Sequence, residues 1–209
     1  TPGQNSNAVA ELALGMMVYY ARNFYNGKSG FELKGKKLGI HAFGNVGKNV
    51  ARIAQGFGME VYAFDPFLTR EQIENDGVKW VGTVEELYST CNFVSLHIPA
   101  NSQTKESINH ALLSRMPSPA VLVNTARAEV INESELLKLF ADRKDFAYLS
   151  DIAPSNKADF EAAFSGRFFF TPKKMGAQTE EANINAGIAA ANQIVRFLKT
   201  GDRTFQVNK

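Results

Sequence analysis

At 209 residues, the chain is long enough for one large domain or two small ones. A net charge of +2 gives no argument for nucleic acid or an anionic membrane surface, and a lone cysteine, Cys91, excludes an internal disulfide. No apolar run reaches the length of a membrane span, and neither an internal repeat nor a Cys/His cluster for a metal stands out. The N-terminus, Thr1-Pro2-Gly3-Gln4-Asn5, has no leader-like charge pattern and no initiator methionine. A soluble cytoplasmic protein that continues upstream is the expectation.

In chain order, Asn7 to Phe24 predicts a long helix, rich in Ala, Leu and Met and apolar almost all round, so buried or in an interface. Asn26 to Gly30 is a turn-rich break. Lys36 to Phe43 predicts a strand, Asn45 to Gly56 a helix, Glu60 to Asp65 a strand and Thr69 to Asp76 a short helix. Thr83 to Ser89 starts a helix, with Thr83 capping and Glu85 and Glu86 in the first turn. Phe93 to Ile98 is a strand, Asn109 to Arg115 a helix and Ala120 to Thr125 a strand. Asn132 caps a helix over Glu133 to Phe140. Phe146 to Ile152 follows as a strand, Lys157 to Phe164 as a helix, Arg167 to Thr171 as a strand and Thr179 to Lys199 as a long final helix. Strands alternating with helices imply an α/β fold, a doubly wound parallel sheet of about six or seven strands with helices on both faces.

Ligands in such sheets sit beyond the carboxyl ends of the strands. After the first strand comes Gly44-Asn45-Val46-Gly47, and Asp65 closes the second. This is the βαβ dinucleotide fingerprint. Gly44 lets backbone approach a pyrophosphate, Gly47 lets the helix pack on the strand, and the helix N-terminus attracts the phosphates. Asp65 can accept from both adenine-ribose hydroxyls, which favours NAD over NADP. The first glycine of the fingerprint is replaced by Ala42, which can stand there if its φ stays negative. The later strand ends present Pro99, then Thr125-Ala126-Arg127, then Asp151, then Lys173-Lys174-Met175-Gly176. Arg127 offers a planar fork to a carboxylate. Asp151 can accept from a nicotinamide carboxamide. A lysine beside the ring could take the hydroxyl proton that hydride transfer from an alcohol must shed, its pKa lowered by neighbouring cations.

Several blocks together resemble the NAD-binding domain of the D-isomer-specific 2-hydroxyacid dehydrogenases. They are Thr1 to Asn5 through Leu12, Leu33-Lys34-Gly35-Lys36-Lys37-Leu38-Gly39-Ile40, Leu96-His97-Ile98-Pro99, Asn124-Thr125-Ala126-Arg127 and Thr171-Pro172. The resemblance is strongest to a lysine-type subgroup that oxidises D-3-phosphoglycerate to 3-phosphohydroxypyruvate, the first step of serine biosynthesis. It implies that Asn45 and Val46 hold the pyrophosphate through backbone and that His97, Pro99 and Thr104 line the cofactor pocket. It further implies that Thr125 and Ala126 meet the nicotinamide ribose, with Lys174 and Gly176 beside the cofactor, and that Arg127 binds the substrate carboxylate.

Three departures from the family pattern stand out. Lysines replace the His that follows Thr-Pro. Counting forward favours Lys173 as the acid/base and counting back favours Lys174, with a lean to Lys173. Asn156 stands where the pattern has Glu. The two changes agree, because a carboxylate partner would hold a lysine protonated. The third departure is the N-terminal substrate-binding portion, on the order of a hundred residues, expected to lie outside residues 1–209. Residues 1–24 and the C-terminal stretch would then reach that domain or a partner subunit, with a homodimer expected and the fragment alone inactive. Two alternatives stay open: a non-catalytic NAD-sensing member of the family, and a dehydrogenase of another D-2-hydroxy acid. His41 reads as structural and His110 as solvated.

Overall fold

Apolar runs buried on both faces build the centre of the sheet, as parallel strands covered by helices require. The computed structural model describes residues 1–206. Seven strands form one parallel sheet: β1 (Lys37–His41), β2 (Glu60–Phe64), β3 (Lys79–Trp80), β4 (Phe93–Leu96), β5 (Ala120–Asn124), β6 (Phe146–Ser150) and β7 (Phe168–Phe170). Their spatial order is β3-β2-β1-β4-β5-β6-β7. The chain thus winds outward from β1 to β3, then returns to lay β4 on the other side of β1. The crevice where the winding reverses lies beyond the ends of β1 and β4, where such folds bind ligands.

The helices are α1 (Ser6–Ala21), α2 (Asn45–Gly56), α3 (Arg70–Glu74), α4 (Val84–Thr90), α5 (His110–Leu113), α6 (Glu133–Asp142), α7 (Lys157–Ala163) and α8 (Glu180–Thr200). Side chains alternate across each strand. In β5, Val121 and Val123 join α1 and α2 in one apolar cluster, while Ala120 and Leu122 join α4, α5 and α6 in the other. In β6, Ala147 and Leu149 face the first cluster, and Phe146 and Tyr148 the second. Side chains cap most helix starts: Thr69, Thr83, Asn109, Asn132 and Thr179 each accept a backbone amide.

Two expectations change. The first helix stops at Ala21 rather than Phe24. Asn23, Phe24 and Tyr25 take left-handed φ of 49°, 55° and 56°. The chain then turns back so that Phe31 N–H donates to Ala21 O at 2.9 Å. Edge-on contacts of Tyr19 with Phe24 (5.1 Å) and of Tyr20 with Phe31 (6.0 Å) hold the reversal. The crossing is so close that a Cβ on Gly30 would lie 2.0 Å from Ala21 O. The second change is β3, two exposed residues paired with Tyr62 and Ala63, too short to carry a period in sequence. In α8, Ile184, Ile188, Ile194, Phe197 and Leu198 are exposed, and only Ala182 is buried.

Candidate active site at the carboxyl edge of the sheet

The first turn is built from β1, α2 and β2. Ala42 departs from its expected negative φ and adopts φ 77°. Its N–H donates to Phe64 O at 2.9 Å, so the pairing of β1 with β2 imposes the conformation. A left-handed L-residue costs about 1–2 kcal/mol. Ala42→Gly should therefore raise stability, by about 0.5 kcal/mol after the added freedom of the unfolded chain. A urea midpoint that does not rise would remove the strain argument. Gly47 meets its expectation sterically: a Cβ there would lie 2.4 Å from Ala42 O and 3.0 Å from Ile40 Cγ2. Gly44 opens α2 without a side-chain cap, and a Cβ on it would meet nothing within 4 Å. That open side and the uncapped amides leave room and donors for a phosphate.

Asp65 is fixed at both oxygens. Phe43 N–H donates to Oδ2 at 2.8 Å and Phe67 N–H to Oδ1 at 2.9 Å. The carboxylate thus ties the end of β2 to the glycine turn, a second task that the fingerprint alone does not reveal. Asn45 lies at the start of α2, its side chain beside Gly3.

The end of β4 supplies an uncharged wall. His97 Nε2 shares a hydrogen bond with Ser95 Oγ at 3.0 Å, and its N–H donates to His41 O at 2.9 Å. Burial, with the neighbouring His41, pushes the His97 imidazole down to about 3. His41 is pushed down to about 4 by burial, against the opposing pull of Asp65. It is a structural residue, bonded through Nδ1 to Tyr88 OH at 3.2 Å. Both rings are therefore neutral at pH 7. Thr104 serves its own loop, its hydroxyl donating to Pro99 O at 2.5 Å and accepting from Asn101 N–H at 2.9 Å.

A cleft of about 470 Å³ joins these parts. Val46, His97, Pro99, Thr125, Ala126, Arg127, Asp151, Lys174 and Gly176 all line it. Gly44, Asn45, Gly47, Asp65, Thr104 and Lys173 are not among its lining residues, though Gly44, Asn45 and Gly47 adjoin Val46 in the turn that opens α2. Asn5 and Val9 of the first helical region also line it, contributions that the strand-end reading did not anticipate. Thr125 Oγ1 is buried and has no hydrogen-bond partner among the described residues. A ligand hydroxyl at this wall would satisfy it.

Two cations meet at one peptide oxygen. Lys174 Nζ donates to Ala126 O at 3.0 Å, and Arg127 Nη1 donates to the same oxygen at 3.4 Å. Burial, then the Arg127 charge, lowers the Lys174 pKa, while Asp151 and Glu129 pull it back up. Lys173 is exposed. Asp151 is buried and accepts three hydrogen bonds: Met175 N–H (2.9 Å) and Thr171 Oγ1–H (3.1 Å) at Oδ1, and Gly176 N–H (2.9 Å) at Oδ2. Those bonds aim the Lys174 loop at the cleft. Asn156 donates instead to Glu133 O at 3.2 Å. Among the described residues, no group of three or more His, Cys, Asp or Glu side chains could hold a metal ion. No helix there is long and apolar enough to cross a membrane.

Residues 8–172 match the D-isomer-specific 2-hydroxyacid dehydrogenase NAD-binding domain. The chain belongs to this family. Its similarity to the NAD⁺-bound 3-phosphoglycerate dehydrogenase of Entamoeba histolytica extends over 100% of this chain and 67% of that one, at 46% identity and a TM-score of 0.91. The D-3-phosphoglycerate dehydrogenase of Methanocaldococcus jannaschii is 30% identical over 95% of this chain. The hydroxypyruvate reductase of Thermotoga maritima is 32% identical over 95% of this chain and 69% of its own length. The chain spans only 40% of the length of the Methanocaldococcus enzyme. The family's cofactor suits the residues present. The open side of Gly44, the uncapped α2, Asp65 and the unpartnered Thr125 hydroxyl fit successive parts of NAD.

Proposed function

We propose that this chain is the cofactor half of an NAD-dependent enzyme that oxidises D-3-phosphoglycerate to 3-phosphohydroxypyruvate. A substrate-binding domain outside residues 1–209 would complete it. The meeting of Lys174 and Arg127 on Ala126 O, beside Thr125 and Asp151, carries the reading. On this reading Lys174 is the proton acceptor and Arg127 the carboxylate-binding fork at one edge of the cleft. Likeness to 3-phosphoglycerate dehydrogenases in sequence and structure supports the substrate.

When bound, NAD supplies the ring that accepts the hydride. The rest falls to this chain. Arg127 holds the carboxylate of the 2-hydroxy acid and polarises its C2 oxygen. Lys174, made less basic by burial and by Arg127, takes the C2 hydroxyl proton. We assign the acid/base role to Lys174, which lines the cleft and bonds Ala126 O, and give none to Lys173, which does not line it. Glu is absent from the position of Asn156, so no carboxylate there holds the lysine charged. The neutral His97 wall adds no charge against a cationic ring. Exposed apolar side chains along α8 support burial of that helix against the proposed substrate-binding domain or a second copy of this chain.

The test is an assay of the complete protein with NAD and 3-phosphoglycerate, glycerate or lactate, beside calorimetric NAD binding. Preferred oxidation of 3-phosphoglycerate supports the reading. Preference for a non-phosphorylated acid would replace the substrate and keep the mechanism. NAD binding without turnover of any 2-hydroxy acid would overturn it in favour of a cofactor-sensing role.

A further inference from the structure

Arg127 leaves the end of β5 on a turn with no regular backbone ladder, so something must fix where its guanidinium points. Asn124 holds that turn from beneath. Its Oδ1 accepts Ala126 N–H at 2.9 Å, and its Nδ2 donates to Arg127 O at 3.0 Å. The same Nδ2 lies 3.2 Å from Tyr148 OH on β6, the neighbouring strand. Both side chains are buried. The Asn124 carbonyl is held in turn by Asp151 N–H at 3.0 Å and Ser150 Oγ–H at 3.3 Å.

We propose that Asn124, braced by Tyr148, is a positioning residue that sets Arg127 for the substrate carboxylate. The inference rests on the reading of Arg127 given above. Three features favour it over a general packing role. The amide uses both ends on one turn, so a side chain without a donor and an acceptor cannot replace it. The Nδ2 bond ends on the backbone of Arg127 itself. Ala126 O, where the two cations rest, belongs to the residue whose N–H the Asn124 Oδ1 holds. Loosening the turn therefore moves the Arg127 fork relative to the substrate, and a displacement near 1 Å can cost about 100-fold in rate.

The experiment is a double-mutant cycle in the complete enzyme, reading kcat/KM for 3-phosphoglycerate, with Tyr148→Phe as a milder variant that keeps the ring. Asn124→Ala alone is expected to lower kcat/KM by about 100-fold. In an Arg127→Ala background it should add no more than about twofold, because the group it positions is gone. Tyr148→Phe should follow the same pattern with a loss of about threefold to tenfold. If Arg127→Ala is impaired but the Asn124 and Tyr148 losses multiply with it in full, the positioning role is overturned and the proposed function survives. If Arg127→Ala leaves kcat/KM unchanged, the assignment of Arg127 fails and this inference fails with it. Should Asn124→Ala not fold, the Tyr148→Phe arm of the cycle decides by the same criterion.

Discussion

Lys174→Ala is expected to lower kcat by about 10²–10⁴-fold, the range for loss of a general acid or base, while NAD still binds. Lys173→Ala should stay within about threefold of the parent, since its side chain stands outside the cleft. The two lysines are adjacent, so the contrast tests geometry and not local charge. The pH profile carries a sign as well. The lysine works as a base only when neutral, and burial and Arg127 lower its pKa from the ordinary value. Oxidation should therefore rise with pH and level off at a lower pH than an unperturbed lysine would allow. Arg127 is a contributor to that lowering, so replacing it with a neutral residue should move the rising limb to higher pH. Lys174→Arg keeps the charge but cannot release a proton in this range, and should be inactive at every pH tested. An active Lys174→Ala enzyme would sink the assignment.

Asp151→Ala should destabilise the fold by about 3–5 kcal/mol, because it strands Met175 N–H, Gly176 N–H and the Thr171 hydroxyl in a buried place. Even the isosteric Asp151→Asn should cost about 2 kcal/mol. All three partners are donors, two on Oδ1 and one on Oδ2, and an amide offers only one oxygen. Its NH₂ must face an N–H or the hydroxyl, whichever way it flips. Urea midpoints of parent and variants would measure this, and an Asp151→Asn chain as stable as the parent would show that the clamp is not what orders the loop. The effect reaches the chemistry, because Met175 and Gly176, which follow Lys174, are held by these bonds. Activity should fall further than stability alone explains, and added NAD should not restore it.

The doubly wound parallel sheet was legible because strands such as Ala120–Asn124 and Phe146–Ser150 are mostly apolar and buried throughout. Gly47 was legible because its demand is local, a missing Cβ at a crossing. What stayed hidden depends on distant partners. Ala42 takes a positive φ because Phe64 O, on another strand, accepts its N–H. The early end of α1 comes from rings meeting across a reversal. Spacing left Lys173 and Lys174 undecided by one residue, and the register is set by Asp151 gripping the next two amides. Asn124 read as one letter of a motif, since nothing in a sequence shows which side of a turn an amide holds.

Lys174 and Arg127 share the Ala126 carbonyl as their resting acceptor. Each spends one N–H on that oxygen and keeps its other donors for a ligand. A neutral alcohol can accept from those donors with bonds of ordinary strength. A carboxylate forms charge-assisted bonds about twice as strong. On the proposed function, two cations gathered at one backbone oxygen would therefore favour hydroxyl compounds that also carry an acid group.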